Sequence, residues 1–153
     1  MNWKKKQDDL DFGFRSEDTA RPFLNRFVDI ELYNTRTDDN DTYNKFDYRA
    51  IRPCGKRIKL ELKTRRCKFG DFPDLQFELG KIYEAEEYLK QYPDAECYFV
   101  WRCIHEGWGK EAFYYWEYHP DQWFIGDGGR HDRGVDEWKK LCKVKNKFIK
   151  KMF

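Results

Sequence analysis

Two neighbouring segments that alternate between apolar and polar residues constrain this chain more than any other feature. They are Lys45-Phe46-Asp47-Tyr48-Arg49-Ala50 and Arg57-Ile58-Lys59-Leu60-Glu61-Leu62-Lys63. Successive side chains of a strand point to opposite faces, so each segment predicts a strand with one apolar face. Pro53-Cys54-Gly55 supplies the turn between them. A connection centred on Cys54 sets Phe46 against Leu62, Tyr48 against Leu60 and Ala50 against Ile58. It also opposes Asp47 to Glu61, Lys45 to Lys63 and Arg49 to Lys59. Like charges directly opposed are destabilising. A bound divalent cation would reverse that sign for the carboxylates, because hard cations prefer carboxylate oxygens. A register two residues over would instead pair Asp47 with Lys63 and Arg49 with Glu61, as ordinary salt bridges on a solvated face.

The rest of the chain is read around this hairpin. Residues 1–15 are polar and read as a loose arm. Ser16 to Phe27 reads as a short helix, with Ser16, Asp18 and Thr19 as candidate caps; Pro22 fits only a first turn, which would move the start to Ala20. Phe23, Leu24 and Phe27 would face the core. Val28 to Tyr33 reads as a strand and Asn34 to Asn44 as a turn. Pro73 to Gln91 reads as one helix, with Leu75, Leu79, Ile82, Tyr83 and Leu89 at helical spacing. Cys97 to Cys103 is a continuous apolar strand suited to a sheet interior. Ala112 to Tyr118 and Trp123 to Ile125 add strands, with core packing expected for the aromatics Phe113 to Trp116. Gly126-Asp127-Gly128-Gly129 reads as a loop and Gly134 to Phe153 as a final basic helix. The expected fold is α/β: a mixed β-sheet core flanked by helices, in a single domain over residues 1–153.

Composition narrows the function classes. Aromatic residues make up 19% of the 153 residues and charged residues 38%, which argues against disorder and for a bulky core under an ionised surface. No run approaches the roughly 20 apolar residues of a membrane span, and Lys4-Lys5-Lys6 is followed by Gln7-Asp8-Asp9, so neither a membrane partner nor a signal peptide is expected. The cysteines are Cys54, Cys67, Cys97, Cys103 and Cys142, an odd number without a C-x-x-C pair, which reads as free thiols in a reducing, intracellular and cytoplasmic setting. Three histidines without H-E-x-x-H do not support a zinc hydrolase. Asp38-Asp39-Asn40-Asp41 lacks the spacing of a calcium loop and reads as an exposed turn.

The formal net charge of +2 hides a segregation. Residues 49–68 carry nine basic residues (Arg49, Arg52, Lys56, Arg57, Lys59, Lys63, Arg65, Arg66, Lys68) and the single acid Glu61. Residues 71–96 carry eight acids and two lysines, and residues 134–153 seven lysines and two acids. Basic clusters attract phosphate backbones and release counterions.

The order of these features resembles the PD-(D/E)XK nuclease superfamily, the restriction-endonuclease-like fold. An early helix carries Glu17 in Ser16-Glu17-Asp18-Thr19-Ala20. Asp47 follows in Phe46-Asp47-Tyr48-Arg49, and then Glu61-Leu62-Lys63 in Ile58-Lys59-Leu60-Glu61-Leu62-Lys63-Thr64-Arg65. A helix and a buried strand complete the likeness over residues 16–103. The proline of the family's name is absent, Phe46 standing before Asp47. The resemblance implies an αβββαβ core and hydrolysis of a phosphodiester with Mg2+ or Mn2+. Asp47, Glu61 and the Leu62 carbonyl would hold the metal. Lys63 would orient the attacking water or stabilise phosphate charge, and neighbours could depress its pKa enough for general-base work. Glu17 would hold a metal-bound water or a second metal, with Glu31 as its substitute. Arg65, Arg66 and Lys68, together with Arg49 and Lys59, would bind flanking phosphates. Lys81 and Gln76, both placed on the following helix, could face the same site, with an outward-facing position the favoured reading.

The implied partner is nucleic acid, DNA ahead of RNA, and cutting both strands would call for a homodimer. Compact size suits a protein encoded by a phage, virus or mobile element. Two other functions fit the same residues: a binding module on this fold that does not cut, and an interaction or virion protein in which E-x-K is coincidental.

Overall fold

A computed structural model describes residues 3–35, 46–105, 110–128 and 139–153, with side chains from Arg15 onward except that of Lys139. The expected turn at 34–44, the Asp38–Asp41 cluster, Lys45, Gly129 and the segment 134–138 therefore lie wholly or largely outside the described residues.

The chain opens with helix α1 (Trp3–Val28), 26 residues long and continuous through Pro22. This corrects the expected loose arm and the late helix start. Ala20, Leu24 and Val28 recur every four residues and are buried. Packing on that stripe outweighs the backbone hydrogen bond that Pro22 cannot donate. Phe23 is 41% exposed, although its ring lies 5.3 Å from that of Phe113. Asp29, at φ 57°, ends the helix in a left-handed residue. The Ile30 N–H closes back on the Asn25 carbonyl at 3.2 Å, and Asn25 Oδ1 accepts the Leu32 N–H at 2.8 Å. This cap takes up the residues expected to start a strand, leaving β1 only Tyr33–Asn34.

Strands β2 (Tyr48–Ile51) and β3 (Arg57–Arg65) form the expected hairpin. Tyr48 opposes Leu60, Arg49 opposes Lys59 and Ala50 opposes Ile58, which is the register centred on Cys54. Gly55 turns the corner at φ 95°, a conformation that side chains rarely adopt. The segment 73–91 is not one helix: β4 (Asp74–Glu78) precedes α2 (Leu79–Gln91). Leu75 and Phe77 alternate with half-buried polar neighbours, a period-two signal that the helical reading absorbed. β5 (Glu96–Cys103) is the interior apolar strand and pairs parallel with β3. β6 (Ala112–Glu117) follows it.

β7 (Phe124–Gly128) includes the glycines read as a loop. A Cβ on Gly128 would stand 2.7 Å from Leu141 Cδ1 and 2.9 Å from Gln76 Oε1, so a larger residue there would have to displace those side-chain ends. The expected final helix is instead β8 (Lys139–Lys145), a 3-10 turn (Asn146–Phe148) and β9 (Lys150–Lys151). Cys142-Lys143-Val144-Lys145 alternates, and pairing on both sides, with β4 and β7, overrides the helical spacing of Leu141, Cys142, Phe148 and Ile149.

The result is α/β, as expected: a mixed six-stranded sheet, β1-β2-β3-β5-β6-β9, and a three-stranded sheet, β4-β8-β7. α1 covers one face of the large sheet, where Leu24 and Val28 pack with Tyr48, Ile58, Leu60, Leu62 and Val100. α2 and the small sheet cover the other, where Phe77, Ile82 and Val144 pack with Phe99, Trp101 and Trp116. The aromatics of β6 are packed between elements: Phe113 and Trp116 are buried, Tyr115 meets Phe27 and Tyr114 stacks on Phe69. All five cysteines are free thiols. Among the described residues no helix is long and apolar enough to cross a membrane.

Candidate metal and phosphate site

Strand parity decides where the charged residues of β3 go. Ile58, Leu60 and Leu62 point to the α1 side. Glu61 and Lys63 therefore point to the opposite side, beside their register partners Phe99 and Trp101. Glu61 is only 3% exposed. The solvated face that the salt-bridge register required does not exist at this position, because α2 and β4 lie over it.

Asp47 stands one residue before the ladder of β2 and opposes Glu61 as the Cys54-centred register requires. The two residues clasp each other. The Asp47 N–H donates to Glu61 Oε1 at 3.2 Å, and the Leu62 N–H donates to Asp47 Oδ2 at 2.8 Å. N–H and C=O of one strand residue project to the same side. The Leu62 carbonyl thus lies on the Asp47 side of β3. The clasp has a further consequence at Phe46. It belongs to the core on the α2 side with Phe99, not to the Leu62 side. This corrects the expected Phe46–Leu62 pair: the ladder ends at Tyr48, and alternation is broken at Asp47.

The electrostatics follow from burial. Loss of water around Glu61 pushes its carboxyl well above the usual range, and the Asp47 carboxylate, which it also hydrogen-bonds, pushes the same way. Lys63 and Lys81 oppose this, their ammonium nitrogens lying 3.9 and 3.7 Å from Glu61 Oε2. Burial alone would lower the Lys63 pKa, but Glu61 and Glu78 outweigh it and hold the ammonium above its ordinary value. The expected depression for general-base work is thereby corrected: Lys63 is a persistent cation. Its strongest contact is Glu78, whose Oε1 accepts from Nζ at 2.7 Å. Burial would raise Glu78, yet Lys63 beside it brings it down to about 2.

Glu78 and Lys81 were not assigned to the site from the sequence. Both come from the junction of β4 and α2, and merging these into one helix hides it. Lys81 was expected to face outward; its side chain is 14% exposed and reaches Glu61. Gln76 lies on β4, not on a helix, with its side chain next to Gly128.

The remaining candidates flank the site or lie away from it. Glu17 is on α1, on the layer across the sheet. Its Oε2 accepts from Asn34 Nδ2 at 3.2 Å, and its carbonyl accepts from the Tyr48 hydroxyl. Glu31 is exposed and pairs with Arg21 at 3.0 Å. Arg65 ends β3 two residues beyond Lys63, followed by exposed Arg66 and Lys68. The Lys68 N–H is held by Asp71 Oδ2 at 2.8 Å. Before Glu61, Lys59 lies over the Tyr88 ring at 4.8 Å, and Arg49 opposite it lies over Tyr33 at 5.4 Å.

Asp47, Glu61 and the Leu62 carbonyl offer hard oxygen ligands of the kind magnesium and manganese prefer, with an acid pair, Glu61 buried and Asp47 half-buried, whose repulsion a cation would relieve. Among the described residues no group of three His, Cys, Asp or Glu side chains is arranged to hold a metal. A bound ion would therefore complete its shell with water and substrate oxygens. No family model, curated protein or solved structure matches the chain.

Proposed function

We propose that the chain is a metal-dependent nuclease with a restriction-endonuclease-like core, hydrolysing phosphodiester bonds of nucleic acid, DNA ahead of RNA. The observation that carries this reading is the Asp47–Glu61 clasp at a strand end, with the Lys63 ammonium 3.9 Å from the buried Glu61 Oε2. A fold selected for stability alone gains nothing from two opposed acids, one of them almost without solvent.

Asp47, Glu61 and the Leu62 carbonyl would hold Mg2+ or Mn2+. The ion would supply polarisation of the scissile phosphate and a lowered pKa for the attacking water. Lys63, a cation throughout, donates hydrogen bonds to a non-bridging phosphate oxygen and stabilises charge developing there. Glu78 fixes the direction of that ammonium. Arg65, Arg66 and Lys68 on one side, and Arg49 and Lys59 on the other, hold neighbouring phosphates. This assignment does not draw on Glu17 or Glu31. Cutting both strands of a duplex would need a second copy of the chain.

Cleavage of plasmid DNA, single-stranded DNA and RNA with magnesium or manganese tests the reading. Lys63→Ala should lose on the order of 10²–10³ in cleavage rate while keeping its circular dichroism, with a melting temperature lowered by the loss of the Glu78 partner but still above the assay temperature. No cutting of any substrate, with no metal binding by calorimetry that Asp47→Asn or Glu61→Gln removes, would overturn it.

One observation favours a second reading, a binding module on the same fold. Lys63 and Lys81 already offset part of the acid pair's charge without a metal. Salt-sensitive nucleic-acid binding without cleavage would select it.

A further inference from the structure

Glu61 Oε2 has an ammonium on either hand: Lys63 from its own strand at 3.9 Å and Lys81 from α2 at 3.7 Å. The two lysines are not equivalent. Lys63 is drawn towards Glu78, at 2.7 Å, so much of its charge is already matched. Lys81 lies in the first turn of α2, with its ammonium 5.9 Å from the centre of the Phe46 ring. Phe46 is the residue that the break at Asp47 turns to this face. The same clasp that brings the two acids together thus also puts an aromatic surface beside the second lysine.

Charge counting gives this lysine a purpose. Asp47, Glu61 and Glu78 face Lys63 and Lys81 in one cluster, three carboxylates against two ammonium groups. A divalent ion turns the formal excess of one negative charge into one positive charge. That matches the single charge of a phosphodiester, whereas a terminal phosphomonoester carries about −1.5 to −2 at neutral pH. Without Lys81 these side chains and the metal would sum to zero, and the positive charge left for the substrate would come only from Arg65 and the residues beyond it.

We infer that Lys81 is a substrate-binding residue that contacts the scissile phosphodiester beside Lys63, so that the site grips its phosphate between a strand lysine and a helix lysine. This rests on the nuclease reading and specifies the phosphate contact within it. On substrate entry Lys81 exchanges part of its contact with Glu61 for a phosphate oxygen.

The test measures binding of a fluorescent single-stranded DNA oligonucleotide over a salt series in calcium buffer, with cleavage in magnesium measured beside it. Lys81→Met keeps the aliphatic packing on Phe46 and removes the charge; Lys81→Arg keeps the charge. Lys81→Met should reduce the slope of log affinity against log salt by about 0.7, the share of one single-strand phosphate. It should also slow cleavage, while Lys81→Arg restores the slope. Wild-type binding with an unchanged slope in folded Lys81→Met would overturn the role of Lys81 and leave the nuclease reading standing. No binding or cutting by the wild type would overturn both. Melting curves of each variant separate a lost contact from a lost fold.

Discussion

The even-numbered and odd-numbered residues of β3 alternate along one backbone yet meet different surroundings. Ile58, Leu60 and Leu62 enter a layer closed by Ala20, Leu24 and Val28 of α1, apolar around them, with the buried Arg102 at its edge held by Ser16, Thr19 and Glu111. Glu61 and Lys63 enter a layer that is also covered, by α2 and the small sheet, but that holds an acid pair and two lysines beside Phe99 and Trp101. Burial alone therefore does not separate stability from function here. What separates them is whether the buried group has satisfied its own chemistry. Leu60 needs nothing further once water has left. Glu61, crowded by Asp47, still favours a proton or a cation.

The largest expected effect removes part of the apolar side. Leu60→Ala leaves a cavity beneath α1 and should cost about 2–5 kcal/mol in urea unfolding. The folded fraction should retain whatever affinity for nucleic acid the wild type has. A loss of affinity greater than the loss of fold would break the division between the two faces.

A smaller effect, read as pH dependence, comes from the charged side. Glu78, held at about 2, contributes stability that is complete above its ordinary 4.5 and is lost as the pH falls towards 2. Glu61 has the opposite sign. Its folded pKa lies above 4.5, so the fold binds its proton more tightly than the unfolded chain does, and stability falls as pH rises beyond 4.5. Metal-free unfolding curves should therefore rise on the acid limb and then decline. Glu61→Gln should flatten the decline, and Glu78→Gln the acid limb. Magnesium should lessen the decline in the wild type only. A decline that persists in Glu61→Gln would assign it to other groups.

The smallest effect lies outside both layers. Arg21 and Glu31 form an exposed pair at 3.0 Å, and Arg21→Ala should change stability by only about 0.2–1 kcal/mol. A larger change in chemical denaturation would mean that the α1 face depends on its rim as well as its core.

How far the sequence revealed this arrangement differs from segment to segment. The hairpin was legible, but its register only to within two residues: a short turn and two alternations leave two pairings open, and the observed ladder selects the one centred on Cys54. Asp47 against Glu61 follows from it. The cover over that face was not legible. Leu75, Phe77 and Leu79 fit a helical stripe and an alternating strand about equally, and only the pairing of β4 with β8 decides between them. Choosing the helix shifted the phase of everything up to Gln91, which turned Lys81 outward and hid Glu78 as the residue holding Lys63. The same ambiguity turned 139–151 into a helix. Local spacing could not reveal a partner strand that lies far away in the sequence. The break at Asp47 was invisible for another reason. Phe46 has the right type for alternation to continue, and it departs only because the acid clasp takes over the hydrogen bonds there.

The pairing of Asp74 with Lys145 sets an order on how the molecule can be assembled. The α1 layer draws its core cluster from positions 20 to 113, so all of it is synthesised before β8. The opposite layer needs Cys142, Val144 and Ile149. Until those last strands arrive, β4 has no neighbour on its β8 side and the apolar residues under it face water. Closing so long a loop is slow. On a ribosome, the half of the molecule that carries Glu61 would be the last to close.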